Sequence, residues 1–305
     1  MGHGPMKKQA SLKGNLVILT TALLWSTAGV CVKFIPWSSF SIASIRGLIA
    51  TLALLGLRQL KRKSGSYAPV RFTRYNIAAG VAMFLTSTLF LASNKLTTAA
   101  NAIVLQYIAP ILILLYTAIV QKRRPSFVEI TLTAVVFLGC VLAFSDKLGG
   151  NGTLGDILAL LSGVTFAALI IISRMEKTQA EDGQIIGCGL SFVCCLPLML
   201  TDSKLVITLE SVGAMLFLGL IQYSLANFLF ARGVKLTEPM AASIILTMEP
   251  IMSPVWVLLA FGEAPGVQAL LGFVLVIAGV TLHTLLPFMV RKARPGDVQS
   301  TAAEV

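Results

Sequence analysis

Residues 98–120 read TAANAIVLQYIAPILILLYTAIV, an apolar run without a single charged side chain. At 1.5 Å of rise per residue, about 20 such residues cross the roughly 30 Å hydrocarbon slab of a bilayer. The proline at position 110 falls close to its middle, so the run reads as a membrane-spanning helix with a break built into it. Nine further runs of similar character flank it, at 14–34, 38–57, 75–93, 126–145, 154–173, 184–201, 211–231, 239–261 and 266–289. A 305-residue chain that is 56% hydrophobic and 12% charged has more apolar surface than one soluble core hides. The expected fold class is therefore all-α, a polytopic membrane protein of ten transmembrane helices.

Charge sets the expected orientation, because loops rich in Lys and Arg stay on the cytoplasmic face. With the N-terminus inside, 19 of the 24 basic residues are cytoplasmic, including Lys13, Arg58, Arg71, Lys122, Arg123, Arg124, Arg174, Arg232, Lys235 and Arg291. Outside are Lys33, Lys95, Lys147 and Lys204, and Arg46 falls within a span. Both termini are then cytoplasmic, and the net charge of +11 belongs to loops facing anionic inner-leaflet lipid. No basic, aromatic-interleaved stripe points to nucleic acid. The first run is long enough to span and lacks a small-residue cleavage site, so it reads as a signal anchor. Cys31, Cys140, Cys188, Cys194 and Cys195 show no metal-ligand spacing and read as small buried apolar residues. Neither metal nor other cofactor is expected.

The chain repeats itself. At an offset of 141, Gly14 and Asn15 fall on Gly155 and Asp156, Trp25 on Phe166 and Lys33 on Arg174. At an offset of 140, Phe90, Lys95, Leu96 and Thr97 match Phe230, Lys235, Leu236 and Thr237, and Pro110, Pro125 and Gly139 match Pro250, Pro265 and Gly279. Each half holds five spans, and an odd number makes the second copy enter the membrane from the opposite side, giving inverted repeats. The expected organisation is a cytoplasmic segment at 1–13, a repeat at 14–145, a linker at 146–152, a repeat at 153–290 and a cytoplasmic tail at 291–305.

Several strings resemble the drug/metabolite transporter superfamily, specifically its ten-helix carriers with two EamA-type domains. They are TALLWSTAGV in helix 1, SIRGLIATLALLGL in helix 2, AANAIVLQYIAPILILLYTAIV in helix 4, GDILALLSGVTFAALIIISR in helix 6 and AASIILTMEPIMSPVWVLLAFGEAP in helix 9. The last is the most specific, with Glu249–Pro250 and Gly262–Glu263. In the first half Lys122, Arg123 and Arg124 stand where many such repeats have Gly-Glu, and Ala109 replaces the glutamate before Pro110. The resemblance implies alternating access, with helices 1, 3, 4, 6, 8 and 9 around a central cavity and helices 5 and 10 at the periphery.

The residues point the same way. Pro110 and Pro250, related by the repeat, free the carbonyls of Gln106 and Leu246, and matched breaks in two halves indicate a central site or simple packing kinks. Ser243, Thr247, Pro250 and Pro254 share one face of helix 9, and Ile103, Tyr107, Pro110 and Leu114 the corresponding face of helix 4. Tyr223 and Asn227 add a pair four residues apart on helix 8, and helix 1 adds Trp25. Trp25, Tyr107, Tyr223, Asn227, Thr247 and Ser243 are therefore the candidate substrate-binding residues, with helix packing as the competing role. Charges inside spans are costly and informative. Arg46 lies about eight residues into its span and Glu249 about ten into its own, roughly 12 and 15 Å deep. They pair across the bundle, or Arg46 snorkels or caps carbonyls while Glu249 exchanges a proton. With Pro110 and Pro250 they are the candidates for gating or coupling. Glu129, Asp156, Glu263 and His283 lie nearer span ends.

An embedded enzyme needs a cluster of carboxylates, a nucleophile with a base, or metal ligands, and a channel needs a filter or charged rings; neither pattern is present in the sequence. The expectation is a secondary-active carrier for a small amino-acid-like metabolite, an exporter of a bacterial inner membrane, with protons as a possible coupling ion and a monomer or homodimer as its assembly. Small organic cations such as quaternary amines are the runner-up substrates, and a membrane-embedded enzyme or structural protein the alternative class.

Overall fold

The computed structural model describes residues 12–62, 69–145, 148, 152–262 and 266–292. Residues 1–11, most of the expected linker at 146–152 (Lys147 included), Glu263, Pro265 and the tail beyond residue 292 lie outside them, as do the side chains of Lys33 and Lys95.

All regular elements among the described residues are helical, and ten helices cross at the expected places. Helix α1 runs Leu12–Ser26 and resumes as Ala28–Lys33. Helix α2 is Ser39–Arg62, α3 Arg74–Leu96, α5 Phe127–Phe144, α6 Thr153–Arg174 and α7 Ala180–Leu200. Helix α4 has two pieces, Ala99–Gln106 and Ala109–Ile119, and so has α9, Pro239–Leu246 and Met248–Phe261. Helix α8 is Leu209–Leu236, with π-helical winding over Leu218–Leu225, and α10 is Val267–Lys292. Eight helices are individually long and apolar enough to span; Leu12–Ser26 and Val267–His283 are shorter apolar helices.

Caps show why the helices begin where they do. The hydroxyls of Thr73, Thr98, Ser126 and Thr208 accept hydrogen bonds from backbone N–H groups three residues on, and Glu129 completes a capping box with Ser126. The repeat reappears at the turns that end α4 and α9. Gly262 has φ +71° and Lys122, its counterpart at an offset of 140, has φ +51°. The first half thus keeps the left-handed turn with a lysine in place of the glycine that best tolerates it.

The burial pattern is that of a protein dissolved in lipid. Leu138, Val193, Leu259 and Val274 are at least 60% exposed, while Asn76, Ser93, Ser162 and Asn227 are wholly buried. Helix contacts follow an inverted two-fold: α1 packs on the second half of α8 as α6 packs on α3, α2 packs on α7, and α5 packs on α10. At one end of this symmetry a side chain on Gly14 would collide with the Leu236–Thr237 turn, and one on Gly155 with the equivalent Leu96–Thr97 turn. The four positions match pairwise in sequence and meet crosswise in space. The chain is thus a ten-helix membrane protein of two inverted five-helix repeats.

Candidate functional site

The centre is built on the interruptions of α4 and α9. Regular winding stops at Tyr107–Ile108 and at Thr247, each just before the proline of its half. The two freed carbonyls meet different partners. The Gln106 carbonyl lies against Gly163 of α6, where any side chain would come within 2.8 Å of it. The Leu246 carbonyl lies 3.3 Å from the hydroxyl of Tyr107, which reaches over from the other half.

The same hydroxyl is 2.9 Å from Glu249 Oε2. A phenol has one hydrogen and here faces two acceptors. With Glu249 ionised, Tyr107 donates to the carboxylate. With Glu249 protonated, the carboxyl donates to Tyr107 and frees the phenol hydrogen for the Leu246 carbonyl. The proton on Glu249 thereby sets which α9 acceptor the Tyr107 hydroxyl serves, and α4 and α9 are joined in both states.

Aromatic rings surround this contact. Tyr107 meets Phe166 edge-on at 6.1 Å, Phe166 lies 6.5 Å from Trp25, and Trp25 lies 5.5 Å from Phe230. Trp25 and Phe166 are repeat counterparts, so the pseudo-symmetry brings equivalent positions face to face. Phe166 and Phe230 are central residues whose repeat matches signalled them, although composition alone does not separate them from core. Helix α1 is joined here by two contacts: Trp256 Nε1 donates to Ser26 Oγ at 2.7 Å and Gln222 Nε2 donates to the Trp25 carbonyl at 3.2 Å.

The other expected residues are placed less directly. Thr247 and Ser243 are 1% exposed, and their hydroxyls donate to carbonyls of their own helix, Ile244 and Met240. Pro110 and Pro250 are buried beside the breaks. Asn227 is buried, with Nδ2 3.7 Å from Cys188 Sγ. Arg46 and Glu249 form no ion pair; the guanidinium stacks 3.9 Å over the Tyr223 ring, and Nη2 donates to Ser87 at 2.9 Å. Arg46 also does not snorkel, since both partners are mid-span residues of α8 and α3.

Polar networks tie the two ends. At the end bearing most of the basic residues, Asp182 accepts from Arg58, from the Arg71 amide at 3.0 Å and from Asn76 Nδ2 at 3.2 Å. A cavity of about 570 Å³ opens beside it, lined by Lys13, Arg58, Asp182, Arg232 and Lys235 among others. At the opposite end Asp202 accepts from the Ser38 amide at 2.8 Å and from Ser41 Oγ at 2.5 Å, and Trp37 Nε1 donates to the Val206 carbonyl at 2.6 Å. The bonds from Ser38 and Ser41 hold the Asp202 carboxyl well below the usual carboxylate range.

Known proteins match along nearly the whole chain. The sequence profile of the EamA-like transporter family matches residues 12–145 and again 153–285. The uncharacterized transporter YwfM of Bacillus subtilis is 28% identical over 90% of this chain and 96% of its own length. The uncharacterized inner membrane transporter YicL of Salmonella typhimurium is 27% identical over 90% of this chain and 95% of its own. A solved structure with 18% identity shares the fold, at a TM-score of 0.76 over 92% of this chain and 100% of that one. With ten helices in two crosswise-packed halves, and the family profile falling once on each half, this chain belongs to the EamA-like transporter family and is a multi-pass membrane transporter.

Proposed function

We propose that this transporter is an alternating-access carrier that exports a small amino-acid-like metabolite across a bacterial inner membrane, with Glu249 as the group that takes up and releases a coupling proton. One observation carries the reading: the Tyr107 hydroxyl of the first half lies within hydrogen-bond reach of both Glu249 and the carbonyl that Pro250 leaves free in the second. A contact whose pattern depends on one proton, set where two helices are already broken, links protonation to the relative position of the halves. The Asp182 and Asp202 networks are the natural closures of the two ends, to be broken in turn. Trp25, Tyr107, Phe166 and Phe230 supply stacking surface for the solute. The gathering of Lys13, Arg58, Arg232 and Lys235 around one cavity supports a cytoplasmic placement of that end, and with it of both termini.

Small organic cations are a second reading, favoured by aromatic rings beside a buried carboxylate. Flux into proteoliposomes separates a carrier from the other classes. Saturation together with acceleration by unlabelled solute on the far side is expected; linear, non-competable flux contradicts it.

A further inference from the structure

We propose, resting on the carrier reading above, that Arg46 is the anion-binding group of the central site and that the transported solute carries a carboxylate. Arg46 is eight residues into α2, about 12 Å from its nearer end. An arginine that merely tolerated the membrane would turn its head toward an interface. This one is held level with the middle of the bundle by the Tyr223 ring and Ser87.

A guanidinium presents five N–H donors around its edge. Stacking on Tyr223 uses its face, and Ser87 takes one edge donor. Nε is buried with no partner, and no described carboxylate forms an ion pair with the group. Glu249, the carboxylate at comparable depth, is bonded to Tyr107 instead. A full charge at this depth, with a buried N–H left unpaired, is matched by the planar two-oxygen geometry of a carboxylate.

Helix α8, which carries Tyr223, also holds two buried acceptors. Asn227 Oδ1 and Gln222 Oε1, on the same stretch of α8 as Tyr223, are buried to at least 97% and have no partner among the described residues. Gly47, next to Arg46, abuts the Cys188 carbonyl, and Cys188 Sγ is the neighbour of Asn227 Nδ2, so Arg46 and Asn227 flank the same part of α7. A carboxylate on Arg46 with an ammonium toward these amide oxygens is the pattern an α-amino acid fills.

The test melts the purified full-length protein with each proteinogenic L-amino acid, with the carboxamide of each, and with choline. A compound that binds the folded state raises the melting temperature. At least one amino acid is expected to stabilise the wild type while its amide does not, and Arg46→Gln and Arg46→Lys should each weaken that acid's binding roughly thirtyfold or more. Equal protection by acid and amide, absence of protection by every amino acid, or undiminished binding to Arg46→Gln overturns the assignment. The acid and amide comparison on the wild type decides the question even where the variants fail to fold. Protection by choline without any carboxylate would overturn Arg46 as the anion site and leave the carrier intact, whereas a bound compound that shows no saturable flux defeats the carrier reading itself.

Discussion

The hydroxyl of Tyr107 and the carboxylate of Glu249, 142 residues apart and in opposite halves of the molecule, lie 2.9 Å from each other. Each sits one to three residues from a proline that breaks its helix, so the bond joins the two points where regular winding is interrupted. Removing only the oxygen isolates it. Tyr107→Phe keeps the ring against Phe166 and leaves the Leu246 carbonyl and Glu249 without their donor. We expect a loss of about 1–3 kcal/mol of stability, together with coupled transport reduced more than counterflow. A variant with wild-type thermal stability and wild-type coupled transport would show that the bond has no role.

The left-handed turns give a prediction independent of function. Lys122 occupies a backbone conformation that suits glycine. Lys122→Gly should raise stability by about 0.5–1 kcal/mol and Gly262→Ala should lower it by about 1 kcal/mol, each read as a shift in melting temperature. The same sign for both changes would contradict the backbone explanation.

Asp202 gives a pH prediction. Its carboxyl is depressed in the folded protein by Ser38 and Ser41, so it binds a proton less readily folded than unfolded. The resulting stabilisation is present above the unfolded carboxylate value, about pH 4, and is lost as pH falls toward the folded one. Asp202→Asn should therefore be less stable than wild type at neutral pH and show a shallower loss on acidification. Parallel stability curves for the two proteins would remove Asp202 from the account.

Topology is tested by labelling. In a variant with the five native cysteines replaced, a cysteine at Ser203 should react with an impermeant reagent added outside intact cells, and one at Lys122 should not. The reverse pattern contradicts the cytoplasmic placement of the basic end.

Much of this architecture is legible in the amino acids because lipid imposes simple rules. An uninterrupted apolar run of about 20 residues has few alternatives to a spanning helix, and the expected runs differ from the ten helices by only a few residues at each end. The breaks of α4 and α9 follow from Pro110 and Pro250. The interruption of α1 at Thr27 and the π-helical winding of α8 carry no such mark, since TAG and LGLIQYSL contain nothing that forbids an ordinary helix. Repeat matching sets Tyr107 opposite Thr247, yet a tyrosine reaches past its counterpart, and contact is made two residues on, at Glu249. Depth alone made Arg46 and Glu249 equally plausible partners for each other. Helix rotation and side-chain length decide otherwise, sending Arg46 to Tyr223 and Ser87, and neither quantity can be read from one sequence.

Coupling of the two halves through a proton on Glu249 is decided by comparing two proteins. Proteoliposomes of wild type and of Glu249→Gln are loaded with the amino acid that most stabilises the protein, and both counterflow and accumulation driven by a pH gradient are measured. Glutamine keeps the shape and cannot ionise. We predict that Glu249→Gln retains counterflow and loses gradient-driven accumulation; accumulation at the wild-type level in the variant would contradict the account.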